Sequence, residues 1–239
     1  VLIDLDDPTT WPPELRAIAE RLWADARSSI DPDGGMDQLR ELIQSDEIDE
    51  ALIGHELLVF HATRLLPHEN ELVLRDGIQP ASEGWQRERL RLASGHHPGL
   101  LDETVIEQIV DHGPLRWQGT RGRAGLVHFV HARSTVVEHA RDYDRLFIAW
   151  GGEIIYWQDT TPDDARTAAL RELTAASVPT LVVGRLPAES IQNVYGWAAT
   201  IVGTHGRLHG APATWTEGGL PVEQIIQPGD HSWDDRWLA

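Results

Sequence analysis

No apolar run in this chain approaches the roughly 20 consecutive residues that a membrane-spanning helix requires, and that shortness most constrains what it can fold into. The core must be assembled from brief elements, and two kinds are mixed in irregular order. His55-Glu-Leu-Leu-Val-Phe-His61 and Leu126-Val-His-Phe-Val-His131 read as largely buried strands. Leu146–Trp150 and Glu153–Trp157 read as two more, joined at Gly151-Gly152, and Thr180–Arg185 and Val222–Gln227 complete the set. Between them, Pro67–Asp76 reads as a short helix stopped by Gly77 at a left-handed C-cap position. Residues 83–112 read as helix interrupted by Ser94–Gly99, the pair His96-His97 falling in that loop, and Asp163–Ala176 as helix by its alanine and leucine content. Ser134 is expected to cap a further helix through Val137, Ala140 and Arg141. Helices and strands without regular alternation imply an α+β fold.

The 239 residues suffice for one large domain or a core domain with an appendage. Charge suggests the second arrangement. Residues 1–50 hold 14 acidic residues against 4 arginines, whereas the remainder holds 24 against 16. Thr10 is placed to cap a helix opened by Trp11, Pro12 and Pro13, with Leu15, Ile18, Ala19, Leu22 and Trp23 at helical spacing. Asp31-Pro32-Asp33-Gly34-Gly35 breaks the chain before a second helix through Leu39, Leu42 and Ile43. The expectation is therefore an acidic helical N-terminal extension over 1–52 and a main domain over 53–239. The acidity of the extension reads as a solvated face or as a surface for a basic partner.

Composition removes several function classes. All 20 basic residues are arginine, which excludes a Schiff-base lysine and the Gly-Lys-Ser/Thr of a P-loop. With no cysteine there are no disulfides, thiolate nucleophiles or cysteine metal sites. A formal charge of -18 opposes a general nucleic-acid surface, although residues 113–145 carry six arginines against three acids. The amino end lacks the positive charge that opens a signal peptide, and a cytoplasmic protein without a membrane segment is expected. No Gly-x-Ser-x-Gly elbow and no His-Glu-x-x-His helix occurs. Gly119, Gly122 and Gly125 precede a strand, the reverse of a Rossmann phosphate loop. His128 and His131 should face opposite sides of their strand, so no metal site is expected.

What remains is an ordered, dispersed set. Phe60-His61-Ala62-Thr63-Arg64 closes one strand, Leu126-Val127-His128-Phe129 follows an arginine- and glycine-rich loop, and Trp150-Gly151-Gly152-Glu153-Ile154-Ile155-Tyr156 puts a carboxylate beside two glycines. Over about residues 55–160 this order resembles the ADP-ribosyltransferase superfamily, whose split β-sheet holds NAD with a His-x-Thr on its first strand, an aromatic or His on its second and often a Glu on a later one. The two histidines are similar to the branch that contains the RNA 2'-phosphotransferases.

The resemblance implies that His61 and Thr63 bind the adenosine ribose of NAD, and that His128, on the nicotinamide side, and Glu153 are catalytic. A carboxylate beside the ribose offsets the positive charge of an oxocarbenium-like transition state. Arg64, Arg121 and Arg123 are candidates to pair with the pyrophosphate, and Tyr156 to stack on the nicotinamide. Packing readings stand beside these: His61 and His128 as core histidines, Thr63 as a turn cap, Glu153 as a hairpin carboxylate, Tyr156 as filler, and Arg121 and Arg123 as part of a solvated loop. Two departures matter. Most glutamate-using relatives have tyrosine where this chain has His128, and Gly151 stands where arginine-modifying relatives have Glu or Gln, which disfavours an arginine acceptor. The expected activity is ADP-ribosyl transfer from NAD to an unidentified acceptor. The alternatives are RNA 2'-phosphate transfer, NAD hydrolysis, or a non-catalytic module that keeps the pocket.

Overall fold

The computed structural model describes residues 1–27, 46–113, 115, 124–138, 146–152, 164–191, 201–203 and 214–238. The fold is α+β. The larger sheet has the strand order β1 (Leu2–Ile3), β2 (Glu56–Leu65), β4 (Val178–Pro187), β6 (Val222–Ile226), and β3 (Val127–Phe129) pairs with β5 (Thr214–Thr216) in a second sheet. The chain divides into two compact units: Val1–Phe60 with Phe129–His139 and Arg185–Thr216, and His61–His128 with Ala140–Gly184 and Glu217–Ala239. The expected boundary after residue 52 falls inside the first unit.

In the first unit β1 runs parallel to β2, pairing Leu2 with Glu56 and Ile3 with Leu57, and Ile3 and Leu57 are fully buried. A two-residue strand carries no periodicity, so nothing in the sequence marks it. A tight turn follows. The Asp6 N–H donates to Asp4 Oδ1 at 3.0 Å, and the Trp11 indole donates to the Asp4 carbonyl at 2.9 Å. Thr10 does not cap the next helix, contrary to expectation. Its hydroxyl donates to the Asp7 carbonyl at 2.7 Å and accepts from the Asp4 N–H at 3.0 Å, closing the turn. Helix α1 (Pro13–Ala26) begins after Pro12 with no side-chain cap and buries Leu15, Ala19 and Ala26. Proline suits that first position because it has no N–H to satisfy. Helix α1 packs against α2 (Asp46–Leu52). The expected helix through Leu39, Leu42 and Ile43 lies outside the described residues.

The second unit holds α3 (Glu69–Asp76), α4 (Glu83–His96), α5 (Glu103–Asp111) and α7 (Ala165–Ala176); α6 (Arg133–Glu138) belongs to the first. Three of these helices start on local caps. Ser82 accepts from the Trp85 N–H, Asp102 from Val105 and Asp164 from Arg166, which satisfies donors that a helix start leaves open. Their apolar faces, with Leu66 and Trp150, enclose a core of Leu90, Ala93, Ile106, Ile109, Val110, Ala169 and Leu173. Gly77 ends α3 at φ 75°, as its position predicts, and a Cβ there would stand 2.4 Å from the Leu220 carbonyl oxygen. That carbonyl accepts from the Ile78 N–H at 2.9 Å, so only glycine lets the two backbones meet. β4 and β6 pair antiparallel, Leu181 opposite Ile226.

Leu146–Trp150 is not the expected strand. Residues 146–148 are helical, and turns follow through Gly151 (φ 89°) and Gly152 (φ 59°). A five-residue apolar run has no period that separates helix from strand. Here the outcome is set by Trp150, which is fully buried with its N–H on Thr174 Oγ1 at 3.1 Å. The hairpin expected at Gly151-Gly152 therefore lacks its first strand, and Glu153–Trp157 lies outside the described residues.

Candidate functional site

Two of the residues singled out above meet in the second unit. β2 carries His61 and Thr63 near its end, and β3 carries His128. The His61 Nδ1–H donates to the His128 carbonyl at 2.7 Å. A carbonyl only accepts, so this bond puts the neutral ring's proton on Nδ1. Both histidines are half-buried, and Thr63 is 5% exposed. Just before them Phe60 and Val130 form a single antiparallel bridge, exchanging both backbone hydrogen bonds at 2.8 and 2.9 Å. Beyond it the His61 side chain bonds the next carbonyl that the ladder would use.

Arg64 is bonded within its own unit. Its Nε donates to Ser177 Oγ at 2.9 Å, Nη1 to the Phe147 carbonyl at 2.6 Å, and Nη2 to the carbonyls of Ser177 and Thr174 at 2.6 and 3.1 Å. Burial lowers its guanidinium below the ordinary arginine value. Four of its five donors tie β2 to the end of α7 and to residue 147, a structural role beside the pyrophosphate role expected of it. Arg121, Arg123, Glu153 and Tyr156 lie outside the described residues.

Two polar clusters have no counterpart among the motifs. In the second unit the Glu69 carboxylate accepts from the Leu66 N–H at 2.7 Å, the Trp150 indole at 2.9 Å and Arg89 Nε at 2.5 Å. The Arg89 guanidinium also lies 4.6 Å from the centre of the Trp150 ring. Burial pushes Glu69 up, but the Arg89 charge and these donors outweigh it and hold the carboxyl below the usual glutamate range. In the first unit Asp6 Oδ2 accepts from the Arg133 N–H and Oδ1 from the Ser134 hydroxyl, each at 2.5 Å. Asp4 pairs with Arg133 at 3.0 Å. Burial raises the Asp4 carboxyl above its ordinary value, with the Asp6 N–H and Arg133 opposing. Ser134, expected to cap α6, thus lies within its first turn, and Asp6 is the cap. Residues so far apart in sequence leave no local signal for either cluster.

His131 is fully buried in the first unit, with Nε2 2.9 Å from Thr214 Oγ1, and burial takes its imidazole down to about 3. It is a neutral core histidine. Among the described residues no group of three or more His, Asp or Glu is placed to hold a metal ion, and no helix is long and apolar enough to cross a membrane. Compared with protein-family models, curated proteins and solved structures, the chain finds no match.

Proposed function

We propose that the chain is an NAD-dependent ADP-ribosyltransferase with an ADP-ribosyltransferase-like split sheet. The observation that carries this reading is the hydrogen bond from His61 to the His128 carbonyl, which joins the His-x-Thr strand to the strand of the second histidine. The separation of β3 and β5 from the larger sheet supports it as well. In this reading His61 and Thr63 hold the adenosine ribose, His128 borders the nicotinamide, Arg121 and Arg123 pair with the pyrophosphate, and Tyr156 stacks on the nicotinamide. The bond between nicotinamide and ribose breaks, nicotinamide leaves with the bonding pair, and a nucleophilic atom of the acceptor bonds to the ribose carbon. Glu153 offsets the positive charge that develops on the ribose.

The test is to incubate the full chain with NAD, with and without candidate acceptors, and measure free nicotinamide. Glu153→Gln should lower the rate by roughly 100-fold or more, as loss of a transition-state interaction does, while NAD binding stays close to wild type. Equal turnover by the variant removes Glu153 from the mechanism, and no release from wild type under any acceptor removes the transferase. The histidine pair also favours a second reading, 2'-phosphate transfer from RNA to NAD, which would make release depend on a 2'-phosphorylated RNA. Release in water alone identifies an NAD glycohydrolase, and binding without release a non-catalytic module.

A further inference from the structure

Outside that site the second unit carries three histidines around one junction. His68 immediately precedes α3, His96 is the last residue of α4, and His97 follows it. His96 and His97 thus end a helix and cap it, where the sequence predicts a loop. The His68 and His96 rings stack face to face, with centroids 3.9 Å apart and planes 8° from parallel. His68 is half-buried and His96 exposed, so protons reach the pair from solvent.

We propose that His68 and His96 form an acid-sensitive latch between the start of α3 and the end of α4, closed while at most one ring carries a proton and opened when both do. A neutral ring stacked on an imidazolium is a favourable contact, because the cation sits over an aromatic face. Two imidazolium rings at this spacing repel, by roughly one pH unit's worth of proton affinity even in bulk water. The pair therefore titrates as a unit, in two separated steps.

The surroundings set which way the balance lies. His96 sits in the last turn of α4. Burial, His96, His97 and Arg89 all hold His68 below the ordinary histidine value, and the adjacent Glu69 carboxylate opposes them. The same two elements have a second link, the Glu69–Arg89 ion pair. Glu69 stays ionised to lower pH than an ordinary glutamate. Acid thus opens the ring stack while the ion pair and the core beneath it hold, which makes the opening local. The latch stands whether or not the chain turns over NAD.

The experiment follows the histidine ring resonances of the full chain by NMR from about pH 8 to about pH 4.5, bracketing the ordinary histidine value. Amide exchange in the first turn of α3 is followed alongside. The stacked rings should show two steps at least about one unit apart. His96→Gln should move the His68 step upward, and acid should lower the protection of the amides at the start of α3, relative to their intrinsic exchange rate at each pH, in wild type only. Rings that titrate together at one pH in wild type overturn the proposal, as does a His68 step unmoved by His96→Gln. Amide protection indifferent to pH does the same. The wild-type titration decides by itself if a variant is poorly folded.

Discussion

At the scale of single residues, the two basic side chains of the His61-Ala62-Thr63-Arg64 stretch have opposite employments. Arg64 fills three backbone carbonyls and one hydroxyl of its own unit. Truncating it leaves buried acceptors unpaired, at about 1 kcal/mol or more for each strong hydrogen bond removed. Arg64→Ala should therefore lower unfolding free energy by roughly 3–4 kcal/mol in denaturant titration. A variant that keeps full stability but loses NAD affinity would return Arg64 to the cofactor. His61 carries the opposite expectation, since its bond to the His128 carbonyl orients a half-buried ring. The residue types alone do not separate these roles. An arginine at a strand end suits a phosphate and a cluster of carbonyls equally well, and only the distant positions 147, 174 and 177 decide which it meets.

At the scale of elements, what is legible in the sequence is what is encoded locally. Helices α4, α5 and α7 can be placed to within a few residues, because each carries its own apolar period and a Ser or Asp at its start. The stop at Gly77 is visible for the same reason. Gly77→Ala sets a β-carbon against the Leu220 carbonyl at a positive φ and should cost about 1–3 kcal/mol, seen as a lowered melting temperature. A variant that melts like wild type would mean the α3 end can take an ordinary backbone conformation. Elements whose conformation is set from afar read wrongly. Leu146–Trp150 is helix and turn through Trp150's place in the core. The start of α6 is held by Asp6, and Thr10 closes a turn in place of capping a helix. Replacing Asp6 with Ala should destabilise the chain by about 1–2 kcal/mol, as loss of a helix N-cap does, whereas Ser134→Ala should have a smaller effect. The reverse order in denaturant midpoints would restore Ser134 as the cap. Of the candidate site, the histidine pair is visible as a motif, and its joining through a backbone carbonyl cannot be read from spacing.

At the scale of the whole molecule, two buried ionisable groups make stability fall with acid. Native His131 stays neutral down to about 3, while the unfolded chain takes up a proton near 6.5. The unfolded state therefore binds the extra proton, and stability present above pH 6.5 is lost as pH falls towards 3. The slope is about 1.4 kcal/mol per unit, with a ceiling of roughly 4–5 kcal/mol. Glu69 adds to this lower down. Its depressed carboxyl contributes stability above the ordinary glutamate value of 4.5, which disappears as pH drops through its native value. His131→Gln keeps a partner for Thr214 and should flatten the loss of unfolding free energy between about pH 6 and pH 4. An unchanged slope would mean His131 is protonated in the native state. The Asp4–Asp6 turn has a kinetic consequence as well. Its partner, the Arg133–Ser134 backbone, is synthesised 127 residues later. A growing chain must keep its first acidic turn waiting while the intervening polypeptide emerges, and closing so long a loop slows the search. Refolding from denaturant should accordingly lag behind the formation of the locally capped helices, with Asp6 seated among the last groups to arrive.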